Sequence, residues 1–203
     1  MNRELSAAHA VKDEVRSVIV FIGFIWVIFV LDLILPGELS QQFALVPRTF
    51  SGTMGILTMP FLHGGFWHIL SNTVPLFILL TLLAGSKVKS REIVAILIVA
   101  NGVLLWLFGS VAPHVGASGL VYGLIGYLIG SGLFERRLIP MAVAVMVGLM
   151  FGGMTLKGLV LQQGVSWGGH FFGLLAGIGL AYIMARKSAL PRDTTAASNR
   201  IEV

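Results

Sequence analysis

Cysteine is absent from the 203 residues, which excludes disulfides, thiolate catalysis and cysteine-ligated metals. Charge is scarce as well. Only 11% of residues are charged, against about 25% in soluble globular domains. So few charges cannot cover a water-facing surface, and with 56% hydrophobic residues the expected solvent is lipid. Carboxylates are missing where membrane chemistry would need them. Asp32 and Glu38 fall at the end of the first apolar run and in the loop after it, and none follows the last run at membrane depth. That excludes a membrane aspartyl protease, which needs paired aspartates. The histidines form no HExxH pair and no matched pairs on two helices, so no metal, haem or other cofactor is expected. The formal charge of +5 would suggest nucleic acid in a soluble protein. Here the basic residues lie between apolar runs, and no nucleic-acid partner is expected.

What is present is a series of apolar runs. A spanning helix needs about 20 mostly apolar residues, and six segments qualify, at about 17–35, 66–84, 93–111, 119–134, 138–156 and 167–185. The fourth is short and glycine-rich. The fold class is therefore expected to be all-α, a polytopic bundle of six transmembrane helices. The expected division is a short N-terminal segment, 1–16, a membrane domain, 17–186, and a polar tail, 187–203. The first run begins after mixed charges and has no small-residue cleavage site behind it, so it reads as a span and not as a cleaved signal. No second soluble domain and no internal repeat of the inverted-transporter kind is evident.

Basic residues orient the bundle. With the N-terminus inside, the inner segments hold Arg3, Lys12, Arg16, Lys87, Lys89, Arg91, Arg136, Arg137, Arg186, Lys187, Arg192 and Arg200, and the outer ones only Arg48 and Lys157. That asymmetry predicts N-in and C-in. The longest connection, 36–65, is apolar and carries no clear element, which is unusual for a loop of that length.

Polar side chains inside membrane helices are costly and informative. His68 and Asn72 are four apart on one face of the second span. Ser118 opens the fourth span, with Tyr122 four residues on. His170 opens the sixth, with Gly173 and Gly177 beyond it. The predicted topology brings these three span ends to similar depth on the outer side. Small-residue surfaces, Gly119, Gly123, Gly126 and Gly130 facing Gly173 and Gly177, would let the two backbones approach closely and bring Ser118 within reach of His170.

A serine hydroxyl becomes a useful nucleophile when an adjacent imidazole takes its proton. With no carboxylate at matching depth, a Ser118–His170 dyad is expected, the imidazole oriented by stacking on Tyr122. The first turn of the fourth span offers free backbone N–H groups beside Ser118, including that of Gly119, as donors to an oxyanion. Gly116 and Gly119 would allow close backbone approach to a substrate. His68 and Asn72 can add side-chain donors. Each of these residues also has a plainer reading: helix cap for Ser118, interhelical hydrogen bonding for Asn72, His68 and His170, core aromatic for Tyr122, loop hydrogen bonding for His63. His114 has no assigned role.

Gly116-Ala117-Ser118-Gly119, with Tyr122 following, resembles the GxSG motif of rhomboid proteases. His68-Ile69-Leu70-Ser71-Asn72 is similar to that family's HxxxN in the second helix, and His63-Gly64-Gly65-Phe66-Trp67 to the run into it. Gly169-His170-Phe171-Phe172-Gly173 resembles the histidine motif of its last helix. The resemblance implies a bacterial six-helix intramembrane serine protease of the cell membrane that cuts transmembrane segments of other proteins near the outer face. Ser118 would be the nucleophile and His170 the base, His68 and Asn72 would support the oxyanion, and Tyr122 would support His170. It places substrate gating at the fifth helix and its loop, 141–157. The Trp-Arg pair common in that family's first loop is missing, since Arg48 follows Pro47. The alternative is an inactive relative that binds membrane clients, although such relatives generally lose the serine or the histidine. Oligomeric state is not legible.

Overall fold

The computed structural model describes residues 2–86, 89–160 and 166–189. Among the described residues six long helices make the body: α1 (Asn2–Ile34), α4 (Phe66–Ser86), α5 (Ser90–Phe108), α6 (Ser118–Glu135), α7 (Leu138–Gly158) and α8 (Trp167–Ala189). Between α1 and α4 lie two single-turn helices, α2 (Leu39–Gln42) and α3 (Gly55–Thr58), and two 3₁₀ turns, Ser51–Thr53 and Met59–Phe61. Five of the long helices, all but α6, are long and apolar enough to cross a membrane. The tail expected from residue 187 lies mostly outside the described residues.

Burial explains why α6 differs. Thirteen of its 18 residues are buried, so its tyrosines, Ser131 and its glycines face protein. The surrounding helices show large apolar side chains outward: Leu149 is 83% exposed and Leu138 86%. Such surfaces are stable in lipid and untenable in water. The core packs Leu79 and Leu83 of α4, Ile93 and Leu97 of α5, and Val147 of α7 around Leu120, Leu124 and Ile125 of α6.

The glycine surfaces expected to meet do so. A methyl group on Gly177 would come within 2.0 Å of the Gly123 carbonyl oxygen, and one on Gly173 within 2.2 Å of the Gly119 carbonyl. Close backbone approach is what small-residue interfaces provide between membrane helices. Because the obstructing atom is backbone, it cannot swing aside. Gly177→Leu is therefore expected to exceed the ordinary overpacking cost of about 1–3 kcal/mol and to lower the melting temperature in detergent by at least about 5 °C. Gly179→Leu is the control, since nothing lies within 4 Å of that position, and its melting should stay near that of the parent.

The 36–65 connection is more ordered than its sequence suggests. Its short turns pack on the end of α5. Trp106 Nε1 donates to the Thr49 carbonyl (3.0 Å), Arg48 donates from its side chain to the Gly109 carbonyl (2.8 Å), and Arg48 N–H reaches Trp106 O (3.1 Å). Trp106, 58 positions on from Arg48, thus ties this loop to α5, a pairing that no local reading could find. Asp32 accepts from the Ser40 N–H (3.2 Å) and has a structural role at the end of α1.

Candidate active site

The N-terminal ends of α4, α6 and α8 share one end of the bundle. Between them opens a cavity of about 910 Å³, lined by His68, Asn72, Ser118, Tyr122 and His170 together with Lys157 and Gly158 of α7. Five sequence-predicted positions from three separate helices therefore face one space. Gly119 does not line it.

Local geometry places each group. Gly116 has φ +114°, and a methyl group there would lie 2.5 Å from His68 Nε2. Both the left-handed backbone and the contact require glycine, and the turn it makes delivers Ser118 at the first position of α6. Ala117 N–H donates to His63 Nε2 (3.4 Å), which leaves the ring proton on Nδ1, a buried atom with no hydrogen-bond partner among the described residues. The N–H groups of Ser118, Gly119 and Leu120 are left at a helix start, where no intrahelical acceptor exists.

The room expected at Gly116 and Gly119 for substrate is occupied by protein. His68 packs on Gly116, and the buried amide of Asn101 from α5 fills the space at Gly119, where a methyl group would be 2.0 Å from Asn101 Nδ2. What Gly119 leaves open at the helix start is its backbone N–H. Asn101 went unnoticed in the sequence because a single asparagine in an apolar run has no partner motif.

His170 is held from two directions. Its Nδ1 lies 2.8 Å from the Gly158 carbonyl oxygen. A carbonyl only accepts, so Nδ1 carries the proton and Nε2 presents a lone pair. The Tyr122 ring stacks on the imidazole at 4.2 Å with 6° between planes, and its hydroxyl donates to Met154 O (2.9 Å). Neither Ser118 Oγ nor His170 Nε2 has a hydrogen-bond partner among the described residues. Both remain free toward the cavity they line. Gly158 was missed in the sequence. It closes α7, and a methyl group there would fall 1.8 Å from the Tyr122 hydroxyl and 3.0 Å from His170 Nδ1.

Asn72 donates one amide proton to the His68 carbonyl (2.9 Å), leaving the second available. His68 meets His63 edge to face at 5.1 Å. Burial, followed by the charge on His68, pushes the His63 pKa down from 6.5 to about 4, against a smaller opposing effect of the Phe61 carbonyl. The folded state therefore binds fewer protons than the unfolded one between these values, and stability is lost as pH falls through that window. Melting in detergent should drop between pH 6.5 and 4, by up to about 3 kcal/mol from this group. His63→Gln should flatten that slope.

No group of three or more metal-ligating side chains occurs among the described residues. The rhomboid domain family matches residues 51–187. Among individual relatives, an uncharacterized protein of Mycobacterium tuberculosis is 32% identical over 182 residues, 83% of this chain and 74% of its own. One of Mycobacterium leprae is 30% identical over 191 residues, 89% and 74%. A Bacillus subtilis protein, YdcA, provisionally named a rhomboid protease, is 27% identical over 138 residues, 65% and 67%.

Proposed function

The chain belongs to the rhomboid family of intramembrane proteases, and from that premise we propose that it is an active serine endopeptidase cutting transmembrane segments of other proteins by a Ser118–His170 dyad. The observation that carries the reading is the His170 imidazole: protonated at Nδ1 by its bond to Gly158, stacked on Tyr122, and bare at Nε2 in the cavity that Ser118 also lines. That is the tautomer a general base requires.

In the reaction Ser118 Oγ attacks the scissile carbonyl as Nε2 of His170 takes its proton. The carbonyl oxygen, now anionic, sits by the first-turn N–H groups of α6, with Asn72 and His68 adding side-chain donors. The imidazolium returns the proton to the leaving amine, and water then hydrolyses the acyl-enzyme with the same base. Among the described residues no carboxylate lines the cavity. The Gly158 carbonyl and the Tyr122 ring orient the imidazole instead.

Positive-inside asymmetry puts the cavity at the outer face, with both termini inside, in the cell membrane of a bacterium. Substrates would enter from the bilayer, past α7. We further assign residues 17–186 to the membrane domain.

The direct test is cleavage of a tagged transmembrane substrate by purified protein in detergent, with the cut mapped by mass spectrometry. Cleavage within the apolar segment supports the reading; its absence together with failure to react with a serine-directed phosphonate would favour an inactive client-binding relative. Asn72→Ala is expected to lower kcat by about 10²–10³ while shifting the melting temperature little. A variant that only unfolds earlier would make Asn72 interhelical glue.

A further inference from the structure

We propose that His114 is a positioning residue for His170, acting through Ser166, which it holds in place at the start of α8. The inference rests on Ser118 and His170 being the reacting pair. His114 lies four residues before Ser118, is 5% exposed, and forms part of the cavity wall. Both its ring nitrogens are engaged. Nε2 lies 3.0 Å from the Ser110 carbonyl oxygen, and Nδ1 lies 2.8 Å from Ser166 Oγ.

These contacts fix every proton. The Ser110 carbonyl only accepts, so Nε2 carries the hydrogen and, in the neutral ring, Nδ1 is an acceptor. The Ser166 hydroxyl must then donate to Nδ1. Its lone pairs accept the Gly169 N–H (3.2 Å), capping α8, and the Ser166 carbonyl accepts the His170 N–H (3.2 Å). Burial lowers the His114 pKa, outweighing the Ser110 bond, so the neutral form that this pattern needs is the one present at pH 7.

The same residue is tied to the first loop. His114 and Leu45 exchange backbone hydrogen bonds of 2.8 and 3.0 Å. One side chain thus joins the end of α5 to the cap of α8, while its backbone fastens both to the loop before α4. Gly158 and Tyr122 hold the ring of His170; Ser166 and His114 hold the backbone beneath it. Without the His114 acceptor, the Ser166 hydroxyl can rotate away from its capping geometry and the first turn of α8 loosens. A displacement of about 1 Å between reacting groups costs on the order of 100-fold in rate.

The experiment compares full-length His114→Phe, Ser166→Ala, their double variant and Ser166→Thr in detergent. It reads kcat, KM, the rate of phosphonate labelling at Ser118, and the ring-nitrogen NMR signals of ¹⁵N-histidine. His114→Phe and Ser166→Ala should each lower kcat and labelling about 10–100-fold, with KM within about twofold. The double variant should be no slower than the slower single one, Ser166→Thr should restore the rate, and the His170 ring signals should shift in both impaired variants. Additive losses, failure of threonine to rescue, or normal kcat in the folded fraction would overturn the proposal. If the parent chain neither cleaves nor labels, the dyad reading fails. The spectrum still decides the clamp: unchanged His170 signals in His114→Phe would refute it.

Discussion

Ser118→Ala should reduce substrate cleavage to background while leaving expression, helicity and melting close to those of the parent. The hydroxyl makes no hydrogen bond to a described residue, so its removal deprives the fold of nothing, and alanine is a good helix former at the first position of α6. Chemically, the variant lacks the atom that would become the acyl-enzyme oxygen. Loss of a serine nucleophile typically costs about 10⁶-fold in kcat, which in a membrane assay is no detectable product. Cleavage at the parent rate would remove Ser118 from the mechanism.

His170→Ala is expected to be as severe, and the double variant no worse than either. Nucleophile and base act as one unit, so once the proton acceptor is gone the hydroxyl is no better than any other alcohol. Unlike the serine, His170 also binds Gly158 and stacks on Tyr122, so some loss of stability should accompany the change. His170→Gln separates the two effects. It retains a side-chain donor for the Gly158 carbonyl but supplies no base, and should melt closer to the parent while remaining inactive. Activity in folded His170→Gln would contradict the assignment of the base.

Much of this arrangement was legible in the sequence. Helix starts at Phe66, Leu138 and Trp167 coincide with the expected ones, because long apolar runs bounded by charge or glycine carry a strong signal. The convergence of Ser118, Asn72 and His170 on one cavity followed from alternating topology alone. What escaped was everything that depends on main-chain atoms or on distant pairs. The Gly158 carbonyl that sets the His170 tautomer has no side chain to announce it. Trp106 reaches Thr49 across 57 positions. His114 meets Ser166 across 52, and neither partner looks unusual by itself. At Gly119 the pattern shows that a side chain is excluded, and only the packing shows that Asn101 occupies the space where one would lie. Finally, the sequence sets α6 apart from the other spans only as short and glycine-rich, whereas its 13 buried residues show that its neighbours enclose it. Apolarity reports removal from water, and it does not distinguish lipid from protein as the replacement.

The most direct measurement of the central claim is peptide mapping of the protein after reaction with a serine-directed phosphonate. The Ser118–His170 account predicts a single covalent adduct on Ser118, formed by the parent chain and lost in His170→Gln. No adduct, or an adduct that forms equally well without the histidine, would contradict it.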